Sequence, residues 1–236
     1  MNKVKSEVFT NEERKLLFLH GYLADRNSFY HQIRFFERDF EVFAPDFKGF
    51  GTNIEMQYPY SLSDYVSDTM EYMYKNGIVR PSVIAHSFGA RVAIKGTAEN
   101  SELFSKLVLT GAAGLRPKWQ LKKVLKKTAF NVLKRFVKRE KLQRFYSSDY
   151  LALSPVMKES FIKIVTEHLD GRLKDVVNPT LLIFGENDRE TPLYMARKML
   201  KEIKNSELIV IKDAGHFCFI DKPAKFNLEV KEFLLS

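Results

Sequence analysis

The stretch VIAHSFGARVAI, residues 83–94, decides the fold prediction. Its first three residues are apolar and partly β-branched, which is typical of the end of a buried strand. From Phe88 onward, small and apolar residues recur at the spacing of a helix. Ser87 is therefore predicted to lie on a sharp turn between a strand and a helix.

The rest of the chain repeats this alternation of strand and helix. Short apolar runs predict strands at 15–20, 40–45, 81–86, 105–110, 180–185 and 206–211. Segments with helical spacing lie at 28–38, 62–76, 88–99, 192–203 and 222–235. Most of the strand runs lack a polar face, as parallel strands covered on both sides do. We expect an α/β fold, with a mostly parallel sheet between two layers of helices, and with Ser61 and Thr191 as helix caps.

One segment interrupts the alternation and divides the predicted core into residues 1–112 and 176–236. Residues 113–175 are predicted to form a largely helical insertion, and residues 118–142 within it are strongly amphipathic. Residues 115–144 contain twelve Lys or Arg and one acid, so this stretch carries +11, whereas the whole chain carries +9. Because the excess charge belongs to one element, the sequence argues against a nucleic-acid-binding protein.

Composition points to a globular protein of the cytoplasm. The chain has 236 residues, of which 45% are hydrophobic and 28% are charged. Its single cysteine, Cys218, fits a reducing compartment, and we see no signal peptide or apolar run of membrane-spanning length. The basic helix leaves contact with an anionic membrane open, but we favour a helix that packs its apolar stripe on the core. The sequence does not predict an oligomeric state.

Later strands supply possible partners for Ser87. A serine acts as a nucleophile when a base takes its proton and a third group orients that base. Asp188 lies in GENDRETP, just after the strand at 180–185, and His216 lies in KDAGHF, after the next strand. The carboxyl ends of parallel strands share one edge of the sheet, so we expect the three side chains to meet there.

Acyl transfer by Ser87 also requires hydrogen-bond donors for the oxyanion of the tetrahedral intermediate. One candidate is the backbone N–H of Phe88, at the start of the helix. The other should come from the loop after the first strand, where the N–H of Tyr22 is favoured over that of Leu23.

Together these motifs resemble the α/β-hydrolase family along nearly the whole chain. HGYL (20–23) resembles the oxyanion loop, DFKGFG (46–51) a turn-forming segment, AHSFGA (85–90) the nucleophile elbow, and GEND and GH the acid and base positions. The elbow pattern of the family is Gly-x-Ser-x-Gly. Ala85 replaces the first glycine here, and alanine is the next smallest residue, so a tight elbow is still expected.

The resemblance implies a chemistry and a place for the insertion. The family hydrolyses ester, thioester, amide or related bonds through an acyl-enzyme and without a cofactor. The insertion at 113–175 falls where the family carries its helical cap, or lid. No metal-ligand motif such as His-Glu-x-x-His is present. We therefore expect neither a metal nor a cofactor.

Each assignment has a structural alternative. Ser87 could serve as a helix N-cap, Asp188 as an ordinary turn residue and His216 as a loop histidine. If Asp188 is not the acid, Glu186 and Asp213 are the next candidates.

Competing functions within the family are narrowed by the residues around the site. A serine at the elbow argues against the haloalkane dehalogenase and epoxide hydrolase branches, which place aspartate there. Carbon–carbon bond hydrolases of ring-cleavage products usually have Asn before the serine and Trp after the base, where this chain has His86 and Phe217. We predict a small-molecule ester or thioester as substrate. A carbon–carbon bond hydrolase and a ligand receptor with slow turnover are the alternatives.

Overall fold

The computed structural model describes residues 14–117 and 153–236. Its sheet contains β1 (Lys15–Leu19), β2 (Glu41–Phe43), β3 (Ser82–His86), β4 (Leu107–Thr110), β5 (Thr180–Gly185) and β6 (Ser206–Ile211). Every neighbouring pair is parallel, and the strand order is β2-β1-β3-β4-β5-β6. The predicted α/β fold is confirmed, and each strand lies inside its predicted range.

The helices of the described residues flank this sheet. They are α1 (Tyr30–Phe36), α2 (Leu62–Lys75), α3 (Phe88–Glu99), α4 (Pro155–Thr166), α5 (Leu193–Glu202), α6 (Cys218–Asp221) and α7 (Pro223–Leu235), with 3₁₀ helices at Arg26–Phe29 and Asp170–Asp175. The helix predicted at 28–38 differs, because its first part is the 3₁₀ turn. The carboxylate of Asp25 accepts a hydrogen bond from the N–H of Asn27, which tightens this turn.

Of the two predicted helix caps, one is confirmed and one is wrong. The Ser61 hydroxyl accepts from the N–H of Asp64, and the Asp64 carboxylate accepts from the N–H of Ser61. This reciprocal capping box starts α2. Thr191 caps nothing: α5 begins at Leu193 and has no side-chain cap. The Thr191 hydroxyl donates instead to Asp188 at 2.8 Å, which makes it part of the candidate site.

The core lies on both faces of the sheet, because successive strand residues point to opposite sides. Leu17 and Leu19 of β1 pack in a cluster with side chains of α2, α3 and α5. Leu16 and Phe18 pack in a second cluster with α1, α6 and α7. All of β3 is buried. This two-sided burial explains why the strand runs in the sequence have no polar face.

The predicted insertion at 113–175 is described only at its two ends. The basic amphipathic helix predicted at 118–142, together with the membrane contact considered for it, lies outside the described residues. The second end contains α4. Across residues 14–117 and 153–236, we find no helix with the length and apolar character needed to span a membrane.

Helix α4 is fastened to α3. The buried guanidinium of Arg91 donates to the carbonyl oxygens of Ile164 and Glu167, at 2.9 Å each, where α4 ends. The Lys95 ammonium pairs with the Glu167 carboxylate. Burial lowers the pKa of Arg91 to about 10, and the nearby Glu167 carboxylate partly opposes this shift. Because the pKa remains well above 7, the guanidinium is protonated at neutral pH.

A close approach of two backbones fixes where α3 begins. The N–H of Gly89 donates to the carbonyl oxygen of His20 at 3.1 Å. A Cβ at position 89 would overlap the carbonyl oxygen of Leu19. Only glycine allows the first turn of α3 to lie against the end of β1.

We expect Gly89→Ala to destabilise the fold, because the added methyl must displace backbone atoms of β1. Overpacking of this kind costs about 1–3 kcal/mol. For a domain of this size, each kcal/mol lowers Tm by about 2–4 °C. Gly171→Ala is the matched control, since a Cβ there meets nothing within 4 Å. Equal melting temperatures for the two variants in thermal unfolding would contradict the close approach.

Candidate active site

Ser87 sits at a strained turn directly after β3. Its φ is 50°, in a region that residues other than glycine rarely adopt. The turn is held by its backbone: the Ser87 N–H donates to Thr110 at 3.1 Å, and the Ser87 carbonyl accepts from Ala113 at 3.2 Å. Ser87 occupies the N-cap position of α3, yet its side chain makes no capping hydrogen bond. The helix therefore does not use the hydroxyl.

Asp188 and His216, which follow β5 and β6, are in direct contact. The Nδ1 of His216 lies 2.9 Å from Oδ2 of Asp188. The carboxylate also accepts from the N–H groups of Glu190 and Thr191, at 2.9 and 2.8 Å, and from the Thr191 hydroxyl. Burial alone would raise the pKa of Asp188, but the hydrogen bonds from His216 and Thr191 outweigh it and the pKa is lowered. Asp188 is therefore an ionised, fully bonded carboxylate.

This pairing sets the proton positions on His216. An ionised carboxylate can only accept hydrogen bonds, so Nδ1 of His216 must carry a hydrogen. In the neutral ring, the lone pair is then on Nε2, the form that a general base requires. The other acids considered are placed differently: Glu186 and Asp213 are exposed, and Glu186 accepts from the N–H of Asp213 at 3.4 Å.

His216 lies at the same edge of the sheet as Ser87. Its ring centroid is 4.7 Å from that of His86, the residue before Ser87. It also packs on Gly111, where a Cβ would come within 3.1 Å of Nδ1. Gly111 follows Thr110, whose carbonyl holds the N–H of Ser87. Asp188 and His216 are thus in direct contact, and His216 packs on the residue before Ser87, whereas no hydrogen bond joins the Ser87 hydroxyl to the His216 ring in the described residues.

The Gly21–Tyr22 peptide is oriented by His20. The Nε2 of His20 accepts from the N–H of Phe47 at 3.0 Å, so the ring hydrogen is on Nδ1, which donates to the carbonyl of Gly21 at 2.8 Å. In a trans peptide the N–H points opposite to the carbonyl, so the Tyr22 N–H points away from His20. A Cβ on Gly21 would lie 3.6 Å from the Cβ of Ser87, which places this peptide beside the elbow.

Phe88 supplies a second N–H at the elbow. It is the first residue of α3, where N–H groups have no acceptor inside the helix. The rings of Phe88 and Tyr22 pack edge to face, with centroids 5.6 Å apart. The Tyr22 hydroxyl donates to the carbonyl of Met157 in α4 at 3.2 Å. The two candidate oxyanion donors are therefore joined through their side chains, and one is tied to α4.

Two features of the site were not predicted from the sequence. The hydroxyl of Thr191 orients Asp188, and the only signal was its position three residues after the aspartate, a spacing that also suits a helix cap. The bond from Tyr22 to α4 spans 135 positions and has no local signal. In the part of the chain that the structure describes, no three His, Cys, Asp or Glu side chains are grouped so that they could hold a metal ion.

Comparison with known proteins defines the class. The model of the alpha/beta hydrolase family matches residues 16–229, which is most of the chain. This chain belongs to that family. The family and the relatives of the chain support a hydrolase activity.

Individual relatives are distant and differ in chemistry. The chain is 24% identical to the uncharacterized hydrolase YugF of Bacillus subtilis, over 97% of this chain and 93% of YugF. It is 25% identical to a 2-hydroxymuconate semialdehyde hydrolase of Pseudomonas putida, over 82% of this chain and 76% of that one. The esterase EaEST of Exiguobacterium antarcticum shares the fold, with a TM-score of 0.76 at 24% identity over 94% of this chain and 92% of that one.

The lowered pKa of Asp188 predicts a pH-dependent contribution to stability. The ionised carboxylate is favoured in the folded protein, so its contribution is complete above the unfolded pKa, about 3.9, and is lost as the pH falls through the lower folded value. Asp188→Asn should therefore destabilise the protein more at pH 7 than at pH 3 in urea unfolding. Asp213→Asn, at an exposed turn, should change the urea midpoint little. If Asp188→Asn lowers the free energy of unfolding equally at both pH values, Asp188 is not an ionised carboxylate stabilised by the fold.

Proposed function

We propose that this chain is a serine hydrolase that cleaves an ester or thioester bond of a small acyl substrate through an acyl-enzyme intermediate. Ser87 is the nucleophile, His216 the general base and Asp188 the residue that orients it. The backbone N–H groups of Tyr22 and Phe88 form the oxyanion hole. One observation carries the proposal: a serine whose hydroxyl the helix does not use stands on a strained turn, and the residue before it packs on a histidine that is bonded to an ionised aspartate.

Acylation uses the lone pair on Nε2 of His216. The Ser87 hydroxyl gives its proton to Nε2 as Oγ bonds to the substrate carbonyl carbon. The negative charge moves to the carbonyl oxygen, where the N–H groups of Tyr22 and Phe88 stabilise it. Asp188 stabilises the imidazolium that forms, and it remains ionised because its other acceptor positions are already bonded.

The second half of the reaction reverses these proton movements. The imidazolium of His216 protonates the leaving alcohol or thiol as its bond to the acyl carbon breaks. A water molecule then gives a proton to the same Nε2 and attacks the acyl carbon. The ester bond to Ser87 breaks, Oγ recovers its proton and the carboxylic acid leaves.

A carbon–carbon bond hydrolase is the second candidate, and the similarity to the Pseudomonas putida enzyme favours it. Against it stand His86 and Phe217, since that group of enzymes usually has Asn and Trp at these positions. A panel of p-nitrophenyl esters and acyl thioesters of graded chain length, run beside 2-hydroxymuconate semialdehyde, separates the two. We expect turnover of the esters or thioesters. Turnover of the semialdehyde alone would favour the second candidate, and turnover of none would favour a ligand receptor.

The first test concerns the nucleophile. A fluorophosphonate should label Ser87, and peptide mass spectrometry should locate the adduct there. Ser87→Ala should lose labelling and should lower kcat by a factor on the order of 10⁴–10⁶ if the three residues act as a unit. Ser63→Ala, an exposed serine on α2, is the control and should label normally. Labelling that survives Ser87→Ala at another residue would refute the assignment of the nucleophile.

The second test concerns the Asp–His pair. Asp188→Asn can donate a hydrogen bond to Nδ1 of His216 and so favours the ring form with its hydrogen on Nε2, which cannot accept a proton. We expect kcat to fall by about 10³–10⁴ with KM little changed. Asp213→Asn should keep wild-type kcat. Near-normal kcat in Asp188→Asn would show that another acid orients the base.

A further inference from the structure

His86 is a buried histidine that precedes the proposed nucleophile in the chain and packs on the proposed base. It is the last residue of β3 and is 1% exposed. Its ring centroid lies 4.7 Å from that of His216, 4.8 Å from that of Phe217 and 5.0 Å from that of Phe219. The mechanism proposed above gives this ring no part in proton transfer.

One nitrogen of His86 holds the backbone of His216. Its Nε2 lies 3.2 Å from the carbonyl oxygen of His216. A carbonyl oxygen accepts but cannot donate, so Nε2 of His86 carries the hydrogen. Its Nδ1 then has only a lone pair, and this atom is buried without a hydrogen-bond partner. Burial, and next to it the proximity of His216, lower the pKa of His86 to about 3, so the ring stays neutral wherever hydrolysis is measured.

The other nitrogen faces the loop after β1. A Cβ on Gly21 would lie only 2.8 Å from Nδ1 of His86. The ring therefore fills the space that a side chain at position 21 would need, and the Gly21–Tyr22 peptide rests against it. One imidazole thus touches both the loop of the base and the loop of the proposed oxyanion hole.

We propose that His86 is a positioning residue of this site, which fixes the backbone of His216 through its Nε2–H and sets the position of the oxyanion loop through its contact with Gly21. The inference rests on the proposed function, because it assigns His86 to the same machinery. A bond to a backbone carbonyl explains why a histidine, rather than an apolar residue, fills a buried position where its second nitrogen has no partner.

Two amide substitutions test the hydrogen bond that Nε2 of His86 makes. The amide nitrogen of a glutamine reaches the position of the imidazole Nε2, whereas that of an asparagine reaches only the position of Nδ1. His86→Gln should keep the hydrogen bond to His216 and remain within about fivefold of wild-type kcat. His86→Asn should lose about 10- to 100-fold in kcat with KM nearly unchanged, which is the effect of misplacing a reacting group by about 1 Å. His31→Asn, at an exposed position on α1, is the control.

Fluorophosphonate titration of active sites separates positioning from misfolding. The kcat of each variant is divided by the fraction of sites that label, and melting temperatures are measured in parallel. A His86→Asn enzyme with wild-type kcat per labelled site would overturn the inference. Equal losses in the Gln and Asn variants would overturn the proposed role of the Nε2–H, since the ring would then act only through its packing against Gly21.

Nitrogen-15 NMR of the wild-type ring tests the inference without any variant. We expect His86 to keep its hydrogen on Nε2 from pH 5 to pH 8. A hydrogen on Nδ1, or titration within this range, would overturn the proposed bond to His216. A wild-type protein that no fluorophosphonate labels would instead count against the proposed serine mechanism, and the NMR result would still decide whether His86 holds His216.

Discussion

The left-handed turn at Ser87 is the constraint on which the rest of the site depends. A residue other than glycine in this region of φ and ψ costs about 1–3 kcal/mol. The surrounding structure offsets that cost because β3 is completely buried on one side of the turn and most of α3 is buried on the other. Gly89 then allows α3 to lie against β1. The backbone hydrogen bonds of Ser87 with Thr110 and Ala113 hold the turn in this conformation.

Three histidines meet around this turn, and their partners assign each a different state. His20 has both ring nitrogens bonded to backbone groups, which uses it entirely for orientation. His86 bonds one backbone carbonyl and buries its other nitrogen. His216 bonds Asp188 through Nδ1, which leaves Nε2 as the nitrogen for proton transfer. Only the third arrangement suits a general base, and the burial of the first two lowers their pKa and keeps them neutral.

The sequence predicted those features that depend on local pattern. The strands follow from short apolar runs, and the strand-to-helix turn follows from the change of period at Ser87. The prediction that Thr191 caps a helix was wrong. A threonine before a proline has the same local signature whether its hydroxyl accepts from a helix N–H or donates to a carboxylate three residues earlier. The contact between Gly21 and His86 could not be predicted either, since it joins two loops only after β1 and β3 have paired.

Helix α4 connects the predicted insertion to the candidate active site. It returns from the segment predicted as a cap, and Arg91 of α3 binds its last turn through two carbonyls. Near the first turn of α4, the Tyr22 hydroxyl donates to the carbonyl of Met157. The backbone N–H of Tyr22 is also one of the proposed oxyanion donors. Any displacement of α4 therefore acts both on α3, which begins after the proposed nucleophile, and on the loop that carries a proposed oxyanion N–H.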